Sequence, residues 1–353
     1  MRKGYTPAKS FCRDKTGAAD DSWSSGMGCK NEHGNRNWGR DNRAEGEFED
    51  ILEQFPTKER VLEEIRGIND GKVGAPFRAP DCVIRWCMKQ IAGRGMGYRA
   101  AARKASRKLR EYGLPGISYS ALNKRKNTLD IHDGTVDVTD ARVMAYGTGA
   151  KPRPGPITVA VDSTGLSPDR PSGWRVYHWD QKSVRGWYKL HAAVDVDTGE
   201  ILAYAVTEPY VGDSLMFRRL METVLSAGHE VTCVLADAAY DKKEYWDWMR
   251  SMKIDFIANI GKNLNQNRRG ATTGRNRGCY VRARHVRRIL EIGNEKWKEE
   301  VGYSRRWKVE AAFSDLKRKF GDTLRARARE SIADMIGWFV IVYNLFKEVR
   351  WSL

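Results

Sequence analysis

Four side chains that could take part in catalysis or ligand binding lie in one segment near the carboxyl end of the sequence. Tyr303, Arg306, Glu310 and Lys317 fall within roughly 60° of one another when the segment is wound as a helix at about 100° per residue. Apolar residues occupy the adjoining flank, as in a helix that packs on a core: Val309, Ala312, Phe313, Leu316 and Phe320. The pattern predicts a helix that presents a phenol, a guanidinium, a carboxylate and an ammonium beside its core face. A surface helix with solvated charges is the alternative interpretation.

Two further carboxylates follow short apolar runs upstream. Ile157–Val161 precedes Asp162 and Val231–Ala236 precedes Asp237, and both runs have the length of strands. Two strand-end aspartates and the helix residue Glu310 can converge on Mg²⁺ or Mn²⁺, which prefer oxygen ligands and keep positions for water and phosphate. Two such ions, about 3.5–4 Å apart, activate the attacking oxygen and stabilise the leaving one in phosphodiester chemistry. The three carboxylates are therefore the candidate catalytic and metal-binding residues.

These residues resemble the DDE triad of bacterial and archaeal insertion-sequence transposases. The helix is similar to the family's YREK signature, Tyr-(2)-Arg-(3)-Glu-(6)-Lys, and Asp162-Ser163-Thr164-Gly165 resembles its DxTG motif. Lys189–Asp195 resembles the following strand, and Ala236–Asp241 resembles the ADxxYD block. The resemblance covers about residues 98–347 and is to the insertion-sequence-four/five type, from which roughly the first 75 residues depart.

The resemblance implies an α/β fold with a ribonuclease-H-like mixed sheet and flanking helices, preceded by an all-α DNA-binding region. It implies a transposase that binds the ends of its own element and catalyses strand cleavage and strand transfer with two Mg²⁺ (or Mn²⁺) ions. Arg306 and Lys317 would clamp phosphates near the cut, and Tyr303 would position the same DNA backbone. The implied partners are double-stranded DNA, as terminal inverted repeats and as target, and further copies of the chain in a homodimer or larger assembly.

The composition agrees with a polyanionic partner. The 353 residues include 62 Lys+Arg against 45 Asp+Glu, a formal charge of +17, and neutralising phosphates with such an excess releases counterions. The amino-terminal residues lead into no apolar signal, and the longest apolar stretch, Met335–Phe346, is too short to span a bilayer. Six scattered cysteines indicate reduced thiols. We expect a cytoplasmic, nucleoid-associated protein without membrane contact.

The composition of the first half of the chain indicates two segments, one polar and one helical. Residues 1–45 are polar and poor in aliphatic side chains, which predicts a mobile segment. Cys12, Cys29 and His33 lie there without a fourth nearby ligand, which argues against a structural zinc site. Residues 46–135 predict helices, first as a pair around Pro56 and then as a helix that begins near Asp81.

A basic helix, a Gly-containing turn and a second basic helix follow within this region, the sequence form of a helix-turn-helix. The first helix covers Tyr98–Leu109, and Ser118 or Ser120 caps the second. The candidate DNA-binding residues are Arg99, Arg103, Lys124 and Arg125. A basic helical hairpin with solvated charges is the alternative.

Residues 136–156 predict a linker and residues 157–347 the catalytic domain. The predicted order, three strands in a meander followed by alternating helices and strands, is that of a ribonuclease-H-like domain. The topology that places Asp162 beside Asp237 is implied by the resemblance. The predicted elements are Ile157–Asp162, Trp187–Val196, Glu200–Thr207, a helix capped by Asp213 or Ser214, Val231–Asp237, a helix Asp241–Met252, Ile254–Ile260 and a final buried helix Ile332–Phe346.

Other polar residues of this domain receive secondary roles. His191, on the same strand face as Lys189, is a candidate near the metal site, and a satisfied buried histidine is an equal alternative. The loop Gly173–Gly186 mixes aromatic and basic residues, which suits DNA contact as well as a packed hairpin loop. The remaining carboxylates are predicted as turn, cap or surface residues: Asp169, Asp195, Asp197 and Asp241.

Residues 261–300 predict a basic insertion before the Glu310 helix. Gly261–Ile289 holds nine Lys or Arg residues without an acidic one, which predicts a flexible or strand-rich segment that lies on DNA near the cut. Arg268 and Arg269 are its leading DNA-binding candidates, and a solvated loop is the alternative. The sequence has no Walker-type phosphate loop.

Two other functions fit the same residues. A ribonuclease-H-like nuclease would hydrolyse DNA without joining it, and strand-transfer products distinguish it from a transposase. The second alternative function is that of a catalytically inactive DNA-binding protein derived from a transposase. The intact set of three carboxylates argues against this alternative.

Overall fold

The computed structural model describes residues 38–129, 143–148, 150–168, 187–260, 278–326 and 329–353. Several predictions fall outside these residues. They concern the possible zinc ligands Cys12, Cys29 and His33, the loop 173–186, Asp169, and the basic residues Arg268 and Arg269.

The first described part of the chain is helical. Its helices are α1 (Trp38–Glu53), α2 (Lys58–Asn69), α3 (Asp81–Arg94), α4 (Tyr98–Glu111) and α5 (Tyr119–Lys126). Thr57 accepts a hydrogen bond from the backbone of Arg60 and so caps α2, and Ser118 caps α5 by accepting one from Ala121. The predicted helix pair around Pro56 and the helix-turn-helix order of α4 and α5 are confirmed. Helix α1 begins inside the segment predicted to be mobile.

The second part alternates strands and helices. Its elements are β1 (Val143–Thr148), β2 (Ile157–Pro168), β3 (Tyr188–Asp195), β4 (Ile201–Thr207), α6 (Asp213–Ser226), β5 (Val231–Ala236), α7 (Lys243–Ser251), β6 (Asp255–Ala258), α8 (Tyr280–Ile292), α9 (Asn294–Glu300), α10 (Trp307–Phe320), β7 (Thr323–Leu324) and α11 (Arg329–Ser352). Short 3₁₀ turns cover Ala238–Tyr240 and Tyr303–Arg306. No helix in the described ranges combines the length and the hydropathy needed to cross a membrane.

The strands form one mixed sheet in the order β1-β4-β3-β2-β5-β6, with β7 beside the far end of β2. Strands β2, β3 and β4 form the antiparallel meander, and β2, β5 and β6 run parallel. The first and fourth strands of the predicted domain, β2 and β5, are thus neighbours, as the resemblance implied. The fold is the predicted ribonuclease-H-like α/β class with a helical region before it.

Alternating residues of β2 enter two different hydrophobic clusters. Val159 and Val161 pack with the apolar faces of α6 and α7, whereas Ala160 and Leu166 pack with α10 and α11. Because side chains alternate across a strand, Asp162 lies on the α10 side of the sheet. This alternation decides which neighbours each functional residue of the strand can meet.

The amino-terminal helices share a core with the mixed sheet. The cluster that contains Ala160 and Leu166 extends without a break into α1, α3, α4 and α11, and residues 39–353 form one compact unit. A Cβ atom at Gly93 of α3 would lie 3.2 Å from Val342 of α11, which shows how closely these helices approach. The predicted boundaries at residues 135 and 156 therefore do not separate two bodies in the structure.

Two segments differ from their predicted character. The predicted linker contains β1, whose backbone pairs antiparallel with β4 over Val143–Thr148. An edge strand depends on the hydrogen bonds of its partner, and its short, glycine-containing sequence carries little signal of its own. The described part of the basic insertion forms α8 and α9, not a flexible or strand-rich segment, because Val286, Ile289 and Trp297 supply a buried helical face.

Candidate active site

Two neighbouring parallel strands bring the predicted aspartates to the same level of the sheet. The register pairs Val161 with Ala236, and the next residue on each strand is Asp162 and Asp237. Strand β5 ends at this point, but β2 continues to Pro168 through pairing with β3 and β7. Asp162 therefore lies within its strand instead of at the predicted strand end, whereas Asp237 directly follows the end of its strand.

Backbone amides orient both carboxylates. The Ser163 N–H donates a 2.8 Å hydrogen bond to Oδ1 of Asp162. The Ala239 N–H donates one of 2.8 Å to Oδ1 of Asp237, which caps the following 3₁₀ turn. Each aspartate keeps a second oxygen for another cation or donor, since these bonds use Oδ1 alone.

Arg306 joins Asp162 to Glu310. Its Nη1 atom lies 2.9 Å from Oδ2 of Asp162, and its Nη2 atom donates a hydrogen bond to Oε1 of Glu310. Arg306 ends the 3₁₀ turn and Glu310 lies in the first turn of α10, an i,i+4 spacing that places their side chains on one face. The Arg306 and Asp162 side chains are 18% and 20% exposed, and that of Glu310 is 55% exposed.

The electrostatics of this group follow from burial. Burial raises the pKa of Asp162, and the negative charge of Asp237 acts in the same direction, against the Ser163 amide and the Arg306 charge. Burial disfavours the charged Arg306 side chain, but Tyr303, Asp162 and Glu310 together raise its pKa. The site therefore has a strong demand for positive charge close to Asp162.

Tyr303 does not lie on the open stripe that the helical wheel predicted. Its segment is a 3₁₀ turn, and the α-helix begins only at Trp307, so the angular positions calculated for one continuous helix do not apply. The ring is 8% exposed, the hydroxyl donates a 3.0 Å hydrogen bond to the carbonyl of Ala236, and burial raises the pKa of Tyr303 to about 12. This hydroxyl holds protein backbone in the structure, and the contact of Tyr303 with DNA stays a prediction.

Lys317 lies two turns beyond Glu310 on α10. The side chain is partly exposed and forms no hydrogen bond or ion pair with the residues that the structure describes. Its ammonium group is thus available to an anion that approaches this end of the helix.

A second polar cluster lies behind the sheet, on the side of α6. The Ser163 hydroxyl donates a 2.8 Å hydrogen bond to Oδ1 of Asp213, and Lys189 Nζ donates one of 2.9 Å to the same oxygen. Asp213 was predicted as a helix cap, but Gly212 is the cap and Asp213 is the first residue of α6. Burial opposes the charge of Asp213, whereas the hydrogen bonds from Lys189 and Ser163 lower its pKa.

His191 belongs to this rear cluster and not to the side of the sheet that carries Asp162. It is fully buried, its Nε2 atom lies 2.8 Å from Oγ1 of Thr207, and burial lowers its pKa to about 4. Its Nδ1 atom lies 3.8 Å from Asp213. Of its two predicted roles, the structure shows the burial, but Nδ1 has no hydrogen-bond partner among the described residues, so the histidine is only partly satisfied. The spacing of Lys189 and His191 pointed to this cluster, but nothing in the sequence marked Asp213 as their partner.

The competing carboxylates have structural partners. Asp241 forms a bidentate pair with Arg282, with Nε–Oδ1 and Nη2–Oδ2 distances of 2.7 and 2.6 Å. Asp241 is the C-cap of the 3₁₀ turn Ala238–Tyr240, one of its predicted roles, but its side chain is only 11% exposed. Asp195 accepts a hydrogen bond from the Asp197 amide, as expected in a turn, but is buried in an ion pair with Arg153.

The predicted DNA-binding residues of α4 and α5 divide into two kinds. Arg99, Arg103 and Lys124 are exposed. Arg125 is 18% exposed and its guanidinium bonds to Asp81, the Ala79 carbonyl and Thr128, so it serves the fold. The exposed face of α4 carries a continuous stripe of four arginines, hereafter the α4 stripe: Arg99, Arg103, Arg107 and Arg110.

The donor set fits a divalent cation. Asp162, Asp237 and Glu310 offer oxygen atoms only, as Mg²⁺ and Mn²⁺ prefer, and the Arg306 guanidinium already stands as a cation between two of them. In the arrangement seen, no three His, Cys, Asp or Glu side chains of the described residues converge closely enough to hold a metal ion.

A family profile described as the transposase DDE domain matches residues 153–345, more than half of the chain. The match spans β2 to α11 and contains Asp162, Asp237 and Glu310. Among solved structures, the Drosophila P element transposase strand transfer complex aligns over 88% of this chain and 86% of that chain, with 11% identity and a TM-score of 0.28, a similarity too low to bear on function. Members of the matched family cut and join DNA with the help of divalent metal ions. The chain belongs to the family of transposases with a DDE domain.

Proposed function

We propose that this protein is an insertion-sequence transposase that binds the ends of its own element, cuts the strands there and joins them to target DNA. The observation that carries the proposal is the Arg306 guanidinium, which binds both Asp162 of β2 and Glu310 of α10, next to the end of the adjacent strand β5, where Asp237 follows. The three carboxylates come from separate elements around this ion pair without yet converging on one point in the described residues, and Glu310 is 55% exposed to solvent. The YREK spacing from Tyr303 to Lys317 supports assignment to the insertion-sequence-four/five type.

Asp162, Asp237 and Glu310 would hold two Mg²⁺ or Mn²⁺ ions. When bound, such ions activate the attacking oxygen and stabilise the leaving oxygen of a phosphodiester. The protein's own contribution is orientation: the Ser163 and Ala239 amides fix the two aspartates before DNA arrives.

The two cationic side chains near Glu310, Arg306 and Lys317, have separate proposed roles. Lys317 is open to solvent and would bind a backbone phosphate near the cut as a point charge. Arg306 presents a planar fork that suits bidentate contact with a phosphate once it leaves the carboxylates. Tyr303 fixes the backbone that precedes Asp237, and so acts on the site from inside the protein.

DNA beyond the cut would lie on the basic surfaces. The α4 stripe and Lys124 offer exposed charges to the element ends, and Arg268 and Arg269 belong to the basic insertion proposed to lie closer to the cut. We propose that the active species is a homodimer or larger assembly on DNA, since cutting and joining two ends requires both to be held together.

Three alanine variants test the catalytic assignment. Asp162→Ala, Asp237→Ala and Glu310→Ala should each abolish nicking of a duplex that carries the element end, because every carboxylate supplies metal ligands. Binding of the same duplex in gel shifts should remain nearly intact, because affinity comes mainly from the basic surface. Glu299→Ala, which removes an exposed carboxylate of α9, is the matched control and should cut normally.

The product of the reaction separates the proposal from its rivals. Joining of a labelled end to a second duplex supports a transposase, and hydrolysis without joining indicates a nuclease of the same fold. Full nicking by any one of the three alanine variants would remove that residue from the site. Specific end binding by a wild-type protein that never cuts would indicate an inactive DNA-binding descendant.

A further inference from the structure

The Arg306 side chain occupies the space between two of the candidate metal ligands. Nη1 lies 2.9 Å from Asp162, and Nη2 donates to Glu310 from the same guanidinium. Because the group is planar and permanently charged, it satisfies both carboxylates at once. A point charge such as a lysine ammonium could not span them in the same way.

The fold holds the guanidinium there from a third direction. Its carbon lies 5.9 Å from the centre of the Tyr303 ring, and the Tyr303 hydroxyl is itself fixed to the Ala236 carbonyl. Arg306 is therefore seated between a buried aromatic ring and two carboxylates, although Glu310 remains half exposed to solvent. The solvent side of the pair is the direction from which a phosphate could reach it.

A divalent ion and the guanidinium make the same demand on these carboxylates. A divalent ion held by these carboxylates would draw on oxygens that the guanidinium already uses, and two cations in adjacent positions would repel each other in a partly buried site. Binding of one must therefore weaken binding of the other.

On the basis of the function proposed above, we propose that Arg306 is an exchangeable counter-ion that a divalent metal must displace, and that a DNA phosphate assists by taking the guanidinium away. Metal and DNA then bind with positive coupling, since each favours the arrangement in which Arg306 has left the carboxylates. The carboxylates stay paired in the protein alone and become metal ligands when the substrate arrives. This arrangement restrains metal-dependent cleavage until DNA is in place.

The test measures metal affinity and not activity. Mn²⁺ binding to the full chain without DNA is followed through the electron paramagnetic resonance signal of free Mn²⁺. Arg306→Gln should bind Mn²⁺ about tenfold more tightly than the wild type, within the usual range of coupling between linked sites. Adding Asp162→Ala to Arg306→Gln should abolish the gain, which places the gained ion at this site. Circular dichroism melts verify that each variant is folded.

Arg305→Gln is the matched control. Arg305 lies in the same 3₁₀ turn and loses the same charge, but it pairs with Asp197 at 2.5 Å and not with the site. Its Mn²⁺ affinity should stay at the wild-type value. Unchanged or weaker binding by Arg306→Gln would overturn the proposal, and so would an equal gain in Arg305→Gln, which would reduce the effect to net charge.

The outcome is independent of the test of the proposed function. If the wild-type protein cuts and joins DNA but Arg306→Gln binds Mn²⁺ no more tightly, only the counter-ion role of Arg306 is refuted. If Arg306→Gln binds Mn²⁺ more tightly but the wild-type protein neither cuts nor joins DNA, the counter-ion role of Arg306 stands. The proposed transposase function is then refuted.

Discussion

The hydroxyl of Tyr303 donates a 3.0 Å hydrogen bond to the carbonyl of Ala236, the last residue of β5 and the one before Asp237. The segment that leads to Glu310 is thereby tied to the strand that delivers Asp237. The same carbonyl also accepts a hydrogen bond from the Asn259 amide, which continues the chain after β6. The relative position of the candidate residues Asp237 and Glu310 thus depends on a buried phenol as well as on the sheet.

Tyr303→Phe should reduce catalysis more than DNA binding. The change removes the hydroxyl donor but leaves the Asn259 amide on the Ala236 carbonyl, so the free energy of unfolding should fall by only about 1 kcal/mol. Nicking by the DNA complex should fall because the Asp237 backbone loses one support. Urea unfolding, gel shifts and single-turnover nicking measure the three effects. Weaker DNA binding with an unchanged nicking rate would instead assign Tyr303 to DNA contact.

The rear cluster predicts a coupled effect of Asp213 and Lys189. Asp213→Asn should lower the free energy of unfolding by about 1–3 kcal/mol, because Lys189, whose side chain is 13% exposed, loses its counter-charge. Lys189→Met should therefore cost less in the Asp213→Asn background than in the wild type. A double-mutant cycle by urea unfolding measures the coupling, expected to exceed about 0.5 kcal/mol. Additive effects would show that the pair contributes nothing beyond its separate members.

The pair of Arg282 and Asp241 should be important for stability. Arg282 is 1% exposed, so Arg282→Ala leaves a poorly solvated carboxylate without its bidentate partner and should cost about 3–5 kcal/mol. Arg284→Ala, on the exposed face of the same helix, should change the free energy by less than about 0.5 kcal/mol. Chemical unfolding compares them, and equal small losses would mean that the buried pair is replaceable.

The buried environment of His285 leads us to expect a loss of folding stability in mild acid. Burial lowers its pKa to about 4, and its Nδ1 accepts a 3.2 Å hydrogen bond from Trp297, which requires an unprotonated nitrogen. The unfolded chain binds the proton near pH 6.5 and the folded one only near pH 4, so this contribution is complete above about 6.5 and is lost as the pH falls toward 4. The loss is at most about 3 kcal/mol.

His285→Gln isolates that contribution because glutamine does not titrate and can still accept from Trp297. The difference in unfolding free energy between wild type and variant should shrink or reverse from pH 7 to pH 4.5. A constant difference across this range would show that His285 titrates alike in both states.

The α4 stripe predicts the salt dependence of DNA binding. Arg103→Gln with Arg107→Gln should weaken binding to all sequences and reduce the slope of log K against log salt by up to about 0.9 per lost phosphate contact. Arg125→Gln removes one positive charge, from a side chain already bonded to Asp81, and should affect stability more than the slope. Binding isotherms at several salt concentrations measure both. An unchanged slope in the double variant would place DNA elsewhere.

The sequence by itself determined the chemistry and the order of the elements. Short apolar runs marked the strands that carry Asp162 and Asp237, and the periodicity around Glu310 marked the helix that carries the third carboxylate, because burial of one strand face or one helix stripe leaves a repeat in the residues. Helix ends at Thr57 and Ser118 were equally local, since a cap bonds to an amide only three residues away.

Tertiary structure alone decided the contacts between distant segments. Strand β2 runs on past Asp162 because β3 and β7 continue to pair with it, and β1 exists as a strand because β4 supplies its hydrogen bonds. Tyr303 turned inward because a 3₁₀ turn precedes α10, and Asp213 met Ser163 because α6 crosses behind the sheet. Arg306 between Asp162 and Glu310 is likewise a contact across 144 residues, and no local pattern encodes a partner at that distance.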